Sequence, residues 1–276
     1  MTQNNERYQI RAVDRALRVL TLLADGEPRT LMELSDALEL SNSTTFRLLS
    51  TLASYNFVQR DEASGRYHLG LATLELARSF QLSNPLQQIA LPLLRQLRDD
   101  TAETVHLAVL DQMEVVYLEK LHGLHAVGLM SSQVGARLLA YCTGLGKVML
   151  AFSDPQAVRE YASQVAYVRF TPTTLTSVET LLGELHAIRA QGYAFDRGER
   201  ESEVHCIAAP ILGPNGRLEG ALSVSGPASR MHPVEEQGEH IQKLLATARG
   251  ISNLLGHRAG QPPAYADISF NHSQAR

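Results

Sequence analysis

Leu34-Ser35-Asp36-Ala37-Leu38-Glu39-Leu40-Ser41-Asn42-Ser43-Thr44-Thr45-Phe46-Arg47-Leu48-Leu49 carries two helical signals broken by a turn. Upstream, Thr30 stands where a helix N-cap would, and Glu33 completes a capping box, so a short helix begins at Leu31. Leu31, Leu34 and Leu38 are its buried stripe. Glu39-Leu40-Ser41 reads as the turn, and the next helix runs from Ser41 or Asn42 to about Ser54. Thr45, Leu48, Leu49 and Leu52 mark its inner side, whereas Asn42, Ser43, Thr44, Arg47, Ser50 and Thr51 share the other. Small polar side chains plus an arginine offer the donors and acceptors that base edges present in the major groove. An ordinary solvated helix face has the same composition, so the surrounding sequence has to decide.

Outward from this stretch, Val13, Ala16, Leu17, Leu20 and Leu23 recur at helical spacing and predict a first helix over Val13–Ala24. Gly26 and Pro28 end it. Downstream, Phe57–Arg60 and Arg66–Leu69 are short strands around a turn in which Gly65 supplies the positive φ. The hairpin carries Arg60 and Arg66. Three helices and a hairpin in that order make a winged helix-turn-helix over residues 10–70. The predicted DNA contacts are Ser41, Asn42, Ser43, Thr44, Phe46, Arg47, Ser50, Arg60 and Arg66. Phe46 lies off the buried stripe, so it either touches a thymine methyl or sugar or packs on the first helix. Leu69–Phe80 is helical again and apolar on two sides, as in a helix that packs between two bodies. It is read as a linker over residues 71–85, closed by Ser83-Asn84-Pro85.

Residues 86–256 alternate helices with strands. Helices are predicted at Leu86–Asp99, Gly144–Phe152, Asp154–Ala162, Ser177–Gln191 and Val234–Leu255. Strands are predicted at Thr104–Leu110, Glu114–Lys120, Val127–Ser131, Tyr193–Asp196, Val204–Leu212 and Leu218–Ser225. Hairpins outnumber regular crossovers, so the class is α+β with a largely antiparallel sheet. The polar, proline-containing tail, residues 257–276, reads as disordered.

At 276 residues, with 44% hydrophobic and 20% charged, the chain can build two domains and is no disordered tail. Its net charge of −4 excludes nucleic-acid binding over the whole surface, so any DNA contact is local. Only Lys120, Lys147 and Lys243 are lysines among 25 basic residues. Arginine suits forked contacts to phosphate and guanine, although a GC-rich genome gives the same bias. No apolar run of about 18 residues predicts a membrane helix, and residues 1–7 lack the apolar run of a signal peptide. Two cysteines, Cys142 and Cys206, exclude a disulfide framework and point to a reducing cytoplasm.

The opening stretch resembles the helix-turn-helix of the IclR family of bacterial transcription regulators. The resemblance continues through Gly65–Gly70, Glu103–Leu110, Cys142–Lys147, Gly192–Asp196, Cys206–Pro210 and Leu222–Pro227, covering about residues 10–256 in order and spacing. One departure is Glu39, where the family usually has glycine; a left-handed backbone there costs about 1 kcal/mol for a residue with a side chain. The resemblance implies a C-terminal GAF-like effector domain that binds a small molecule, often a carboxylic acid. Mapped onto this chain, its pocket falls on Gly144, Leu145, Asp196, Cys206, Ser223 and Ser225, with Val127 and Met130 as the apolar wall.

The residues themselves support such a pocket. Thr143 can cap the helix that starts at Gly144, and amides at a helix start favour an anion. The spacing of a phosphate-binding P-loop is absent. Ser223 and Ser225 alternate with Leu222 and Val224, so both hydroxyls share one strand face. Gly144 and Leu145 are assigned backbone donation to the carboxylate, Ser223 and Ser225 hydroxyl donation, and Cys206 a soft wall. Asp196 would accept from a ligand hydroxyl or stay protonated. His205, Cys206 and Asp196 include the residue types of a cysteine nucleophile site, but adjacent strand residues face opposite ways, so His205 is badly placed to activate Cys206. His122 and His125 lack a carboxylate between them and do not make a metal site; no metal or cofactor is expected.

The reading is a ligand-responsive regulator, not an enzyme, more often a repressor than an activator in such a family, acting on a catabolic operon. Two chains pair through the N-terminal domains and the Leu69–Phe80 helix and grip a near-palindromic double-stranded DNA operator, and the resemblance implies that effector domains can pair again into a tetramer. A sugar acid or small hydroxy or keto acid is favoured as effector, since only 9 Tyr and 7 Phe occur and the mapped pocket contains none of them. The alternatives are an activator of the same type, and a sensor or hydrolase domain whose helix-turn-helix serves only protein pairing.

Overall fold

The computed structural model describes residues 9–125, 130–231, 238–258 and 260–265. The chain divides into two compact units, Met1–Asn84 and Pro85–Arg276.

The first unit holds α1 (Arg11–Leu22), α2 (Leu31–Leu38), α3 (Asn42–Ser54), a hairpin of β1 (Val58–Arg60) and β2 (Tyr67–Leu69), and α4 (Ala72–Ser83). Thr30 makes the capping box of α2: its Oγ1 accepts from Glu33 N at 3.2 Å, and its own N–H donates to the Glu33 carboxylate at 2.6 Å. Glu39 ends α2 at φ 56 and ψ 43, a left-handed turn made without glycine. Ser41 then caps α3, its Oγ accepting from Thr44 N at 3.3 Å. Val19, Leu23, Leu34, Leu38, Leu49, Val58 and Tyr67 interlock as one small core. The two strands pair antiparallel across Gly65, whose φ is +69. The predicted linker helix belongs to this unit as α4 and buries none of its residues there.

The second unit runs α5 (Pro85–Thr101), β3 (Thr104–Asp111), β4 (Glu114–Leu121), β5 (Arg137–Leu139), α6 (Gly144–Ala151), α7 (Pro155–Gln164), α8 (Val178–Gln191), β6 (Ala194–Arg197), β7 (Val204–Leu212), β8 (Leu218–Pro227) and α9 (Glu239–Leu254). Among the described residues the strands form an antiparallel sheet in the order β5-β4-β3-β8-β7-β6. Side-chain alternation sorts its faces. Val105, Leu107, Ile207, Ala209, Leu222 and Val224 pack with Leu94 and Leu97 of α5 and Leu244 and Ile251 of α9. Ala108, Tyr117, Ala194, Ala208 and Ala221 pack with Leu145, Val148 and Met149 of α6 and Leu181 and Leu185 of α8. The class is α+β, with helices on both faces of the sheet.

Three expectations need correction or restriction. Of the predicted strand Val127–Ser131, residues 127–129 lie outside the described residues, and Met130 and Ser131 are not strand. Lys120 Nζ takes the carbonyls of Met130 and Ser132 at 3.2 and 2.5 Å, bonds to a side chain where a strand would use a ladder. The edge strand of this region is instead β5, which pairs with Glu114–Val116. The tail read as disordered from residue 257 is seated as far as Tyr265. Ala264 N donates to Gly216 O at 2.8 Å, Arg189 reaches Ala264 O at 3.3 Å, and His257 Nδ1 lies 3.2 Å from Gly213 O. Residues 266–276, and 232–237 of the predicted final helix, lie outside the described residues.

Candidate functional site: a polar helix face and a sheet-lined cavity

On α3 the inner positions Thr45 and Leu49 are buried, and the helix leaves Asn42, Ser43, Phe46, Arg47, Ser50 and Thr51 exposed, with Thr44 half-buried. Ser41 is exposed but occupied as the cap, its Oγ within 3.1 Å of Ser43 Oγ and 2.9 Å of Thr44 Oγ1. Phe46 is 51% exposed and is not among the core residues of this unit. Arg60 is exposed on the wing, its guanidinium 5.8 Å from the Tyr67 ring centre. Arg66 is half-buried on the wing and has partners within the chain. Its Nη1 donates to Pro28 O at 2.8 Å and to Glu33 at 3.2 Å, so it fastens the wing to the capped start of α2.

In the second unit a cavity of about 50 Å³ opens between the sheet and the start of α6. Gly144, Leu145, Asp196, Cys206, Ser223, Ser225 and Met130 all line it. Seven positions far apart in sequence thus meet in one place; the eighth, Val127, lies outside the described residues. Strand register explains the meeting: Ser223 pairs with His106 and Ala208, and Ser225 with Cys206, which itself faces Asp196 across β6. Thr143 Oγ1 accepts from Gly146 N at 3.1 Å and caps α6 beside these residues. The Gly144 amide is aimed at Asp196 and Cys206 and lowers the pKa of both. No side chain fits at Gly144, because a Cβ there would lie 2.7 Å from Cys206 Sγ.

Burial dominates the electrostatics. It pushes the Asp196 carboxyl above its ordinary value, against the nearby Lys147 and the Gly144 and Glu199 amides. Burial likewise raises the Cys206 thiol, the reverse of an activated nucleophile. His205 lies on the other face of β7 from Cys206 and does not line the cavity. Behind the cavity, Lys147 is 1% exposed and bridges Glu199 and, at 3.2 Å, Glu184. Burial raises Glu199 to about 7, with Lys147 opposing and Asp196 adding to the rise.

Sequence reasoning missed His106, Tyr117, Ser132, Leu138, Thr143 as a wall residue, Arg200, Glu201 and Val204. His106 shares its face with Ser223, a fact that follows from register and not from local sequence. Arg200 and Glu201 sit on the segment after β6, which Thr171 and Thr174 hold through the carbonyls of Gly198 and Glu199 at 2.6 and 2.7 Å. The Arg200 guanidinium lies 3.9 Å from the Phe170 ring centre. Tyr117 places an aromatic ring on the wall, which the mapped positions lacked. No group of three metal-ligating side chains exists among the described residues, and no described helix is long and apolar enough to cross a membrane.

Comparison with known proteins now bears on both features. The model of the IclR helix-turn-helix domain matches residues 12–62, and that of the bacterial transcriptional regulator IclR C-terminal domain matches residues 81–253. The HTH-type transcriptional regulator KdgR of Dickeya chrysanthemi is 35% identical over 249 residues, 89% of this chain and 81% of that protein. The HTH-type transcriptional repressor AllR of Escherichia coli is 33% identical over 251 residues, 90% of this chain and 91% of that one. Among solved structures, an IclR homolog from Microbacterium hydrocarbonoxydans complexed with 4-hydroxybenzoate superposes with a TM-score of 0.77 at 28% identity, covering 88% of this chain and 98% of that one. These curated relatives are named as regulators rather than as enzymes. The chain belongs to the IclR family of helix-turn-helix transcriptional regulators.

Proposed function

We propose that this chain is a repressor that holds a near-palindromic operator through α3 and releases it when a small carboxylic acid enters the cavity of the second unit. The observation that carries the DNA half is the α3 face: Asn42, Ser43, Arg47 and Ser50 exposed together, next to a wing that presents Arg60. Ser41 and Thr44 flank this face, and Phe46 offers an apolar edge for a thymine methyl. Arg66 acts from behind, positioning the wing. Residues 10–70 are the DNA-binding part and 86–256 the effector part.

The acid half rests on polarity. The cavity presents the start of α6 and two serine hydroxyls, which are donors to an oxyanion, with the buried Asp196 carboxyl beside them. Its open volume of about 50 Å³ is far below the several hundred Å³ usual for drug-sized ligands. That favours a hydroxy or keto acid of few carbons, or a sugar acid seated with some movement of the Met130–Ser132 wall. Tyr117 and the 4-hydroxybenzoate held by the Microbacterium relative favour a second reading, an aromatic acid.

Leu71 at the start of α4, and Leu74, Leu76 and Phe80 within it, each expose more than half their surface, and these apolar residues, on two sides of the helix, are where two chains would pair. A two-fold dimer sets its α3 helices about 34 Å apart, in successive major grooves. An acid releases DNA only by binding the DNA-incompetent state more tightly. A cytoplasmic location follows from this role.

The test is a gel shift on the DNA upstream of the chain's own gene, with glycolate, pyruvate, gluconate and 4-hydroxybenzoate added in turn. Binding that one of these acids weakens supports the proposal. Binding strengthened by acid makes it an activator-type regulator, and absence of DNA binding overturns the reading.

A further inference from the structure

His106 is buried at the floor of the cavity, 3% exposed, with a hydroxyl at each ring nitrogen. Nε2 lies 2.9 Å from Ser132 Oγ. Nδ1 lies 3.3 Å from Ser223 Oγ and 3.5 Å from Ser225 Oγ, and those two oxygens are 3.4 Å apart. The ring meets Tyr117 edge-on at 5.3 Å. Lys120 stands opposite His106 in the β3–β4 register, and His122 follows it; both disfavour a second proton on the ring, as burial does. Asp196 on β6, Cys206 on β7 and the Arg200–Glu201 segment complete the charged and titratable surroundings, and none of them hydrogen-bonds to the ring.

A neutral imidazole has one N–H and one lone pair, so two tautomers compete. Nε2 is the ring nitrogen within reach of the Ser132 hydroxyl, and with Ser132 donating there Nε2 carries the lone pair. That puts the ring proton on Nδ1, where it is shared between the oxygens of Ser223 and Ser225. Both serine protons are then free to point into the cavity. In the other tautomer Nδ1 would take one of those protons, leaving only one of the two serines as a free donor.

We propose that His106 is a positioning residue of the effector pocket: with its proton on Nδ1 it orients Ser223 and Ser225 as paired donors and makes the pocket select a carboxylate over the isosteric carboxamide. The inference rests on the reading of this cavity as the effector site. A carboxylate accepts from both hydroxyls, whereas a carboxamide presents its NH2 to one of them. An unmatched buried pair of donors of this kind weakens binding about 10- to 100-fold.

The tautomer is measured on the full chain by 15N-histidine NMR from pH 5 to 8, with the His106→Asn spectrum assigning the signal. A neutral, Nδ1-protonated ring is expected throughout; an Nε2-protonated ring, or one that titrates in this range, overturns the proposal. Calorimetry then compares glycolate with glycolamide, and 4-hydroxybenzoate with 4-hydroxybenzamide. His106→Asn, whose amide can occupy the Nδ1 position, keeps the preference for acid, and His106→Leu loses it. Should the leucine variant not fold, Ser132→Ala replaces it and lowers the preference by releasing the tautomer. A wild-type preference in the variant used overturns the proposal. Failure of the underlying reading looks different: neither acid binds the wild type, or Ser223→Ala/Ser225→Ala binds as the wild type does, and the tautomer still decides the role of His106 in orienting the serines.

Discussion

Gly144→Ala is the substitution that probes the pocket most locally. The new Cβ would sit 2.7 Å from Cys206 Sγ, 3.4 Å from Asp196 Cβ and 3.6 Å from Ala208 Cβ. Ordinary contact needs about 3.5–4.0 Å, so the sulfur must retreat by about 1 Å. It stands on β7, which is paired to β6 on one side and β8 on the other, so the strand cannot follow cheaply. Overpacking of this sort costs about 1–3 kcal/mol, and the better helix propensity of alanine returns less than about 1 kcal/mol at the first helical position. The net loss of about 1–2 kcal/mol lowers the melting temperature by roughly 2–8 °C for a domain of this size. The methyl group also intrudes on a cavity of only about 50 Å³, so the response of the protein–DNA complex to acid falls with it. Cys206→Ala removes the obstructing sulfur. In the double variant most of the stability lost to Gly144→Ala returns, a coupling of about 1–2 kcal/mol between touching residues. Urea unfolding of the four proteins measures it. Strict additivity, or a Gly144→Ala protein as stable as the wild type, refutes the packing argument.

Glu39→Gly relieves a left-handed residue at φ 56 and is expected to raise stability by roughly 0.5–1 kcal/mol in thermal unfolding, with DNA affinity unchanged; destabilisation would show that the Glu39 side chain supplies something the turn needs. Glu199 holds its proton up to about pH 7 when folded, against 4.5 ordinarily, so its protonation stabilises the fold fully below about pH 4.5 and that contribution is lost as pH rises through 7. Glu199→Gln removes this dependence, so the variant gains on the wild type between pH 5 and 8 in parallel urea titrations, and a constant or shrinking difference contradicts the burial argument. Ser223→Ala with Ser225→Ala is expected to abolish release by acid in the gel shift while leaving operator affinity within about twofold, because the substitutions lie in the second unit and α3 in the first; retained release would move the pocket elsewhere.

The first unit was legible because its determinants are local. Thr30 and Glu33, Ser41, and the leucine spacing each act within one turn of helix, and the structure places the capping box, the α3 cap and the Gly65 turn where they were read. Phe46 could not be placed from its neighbours, since exposure depends on what α1 leaves uncovered. In the second unit the alternation of Ser223 and Ser225 with Leu222 and Val224 told which residues share a face, but not which strands would lie alongside. His106 and Tyr117 reach the cavity through pairings of β3 with β8 and β4, the latter shifted by an irregularity at Leu107 and Ala108 that no local pattern marks. β5 is three residues long and at the sheet edge, too short for alternation to show. Lys147 was read only as one of three lysines and the end of the Cys142–Lys147 stretch; its burial depends on Glu184 and Glu199, which lie 37 and 52 residues away. Arg66 also has partners inside the chain that local sequence did not mark, Pro28 and Glu33, which lie 38 and 33 residues away.

The central claim is that the exposed polar side of α3 reads duplex DNA. Titrating the full chain onto its own upstream DNA at several salt concentrations, as wild type and as Arg47→Ala, tests it most directly. A steep fall in affinity with salt is expected, together with a loss of about 1–3 kcal/mol on removing Arg47 that is specific to the operator sequence. Operator binding that is insensitive to salt and indifferent to Arg47 would contradict it.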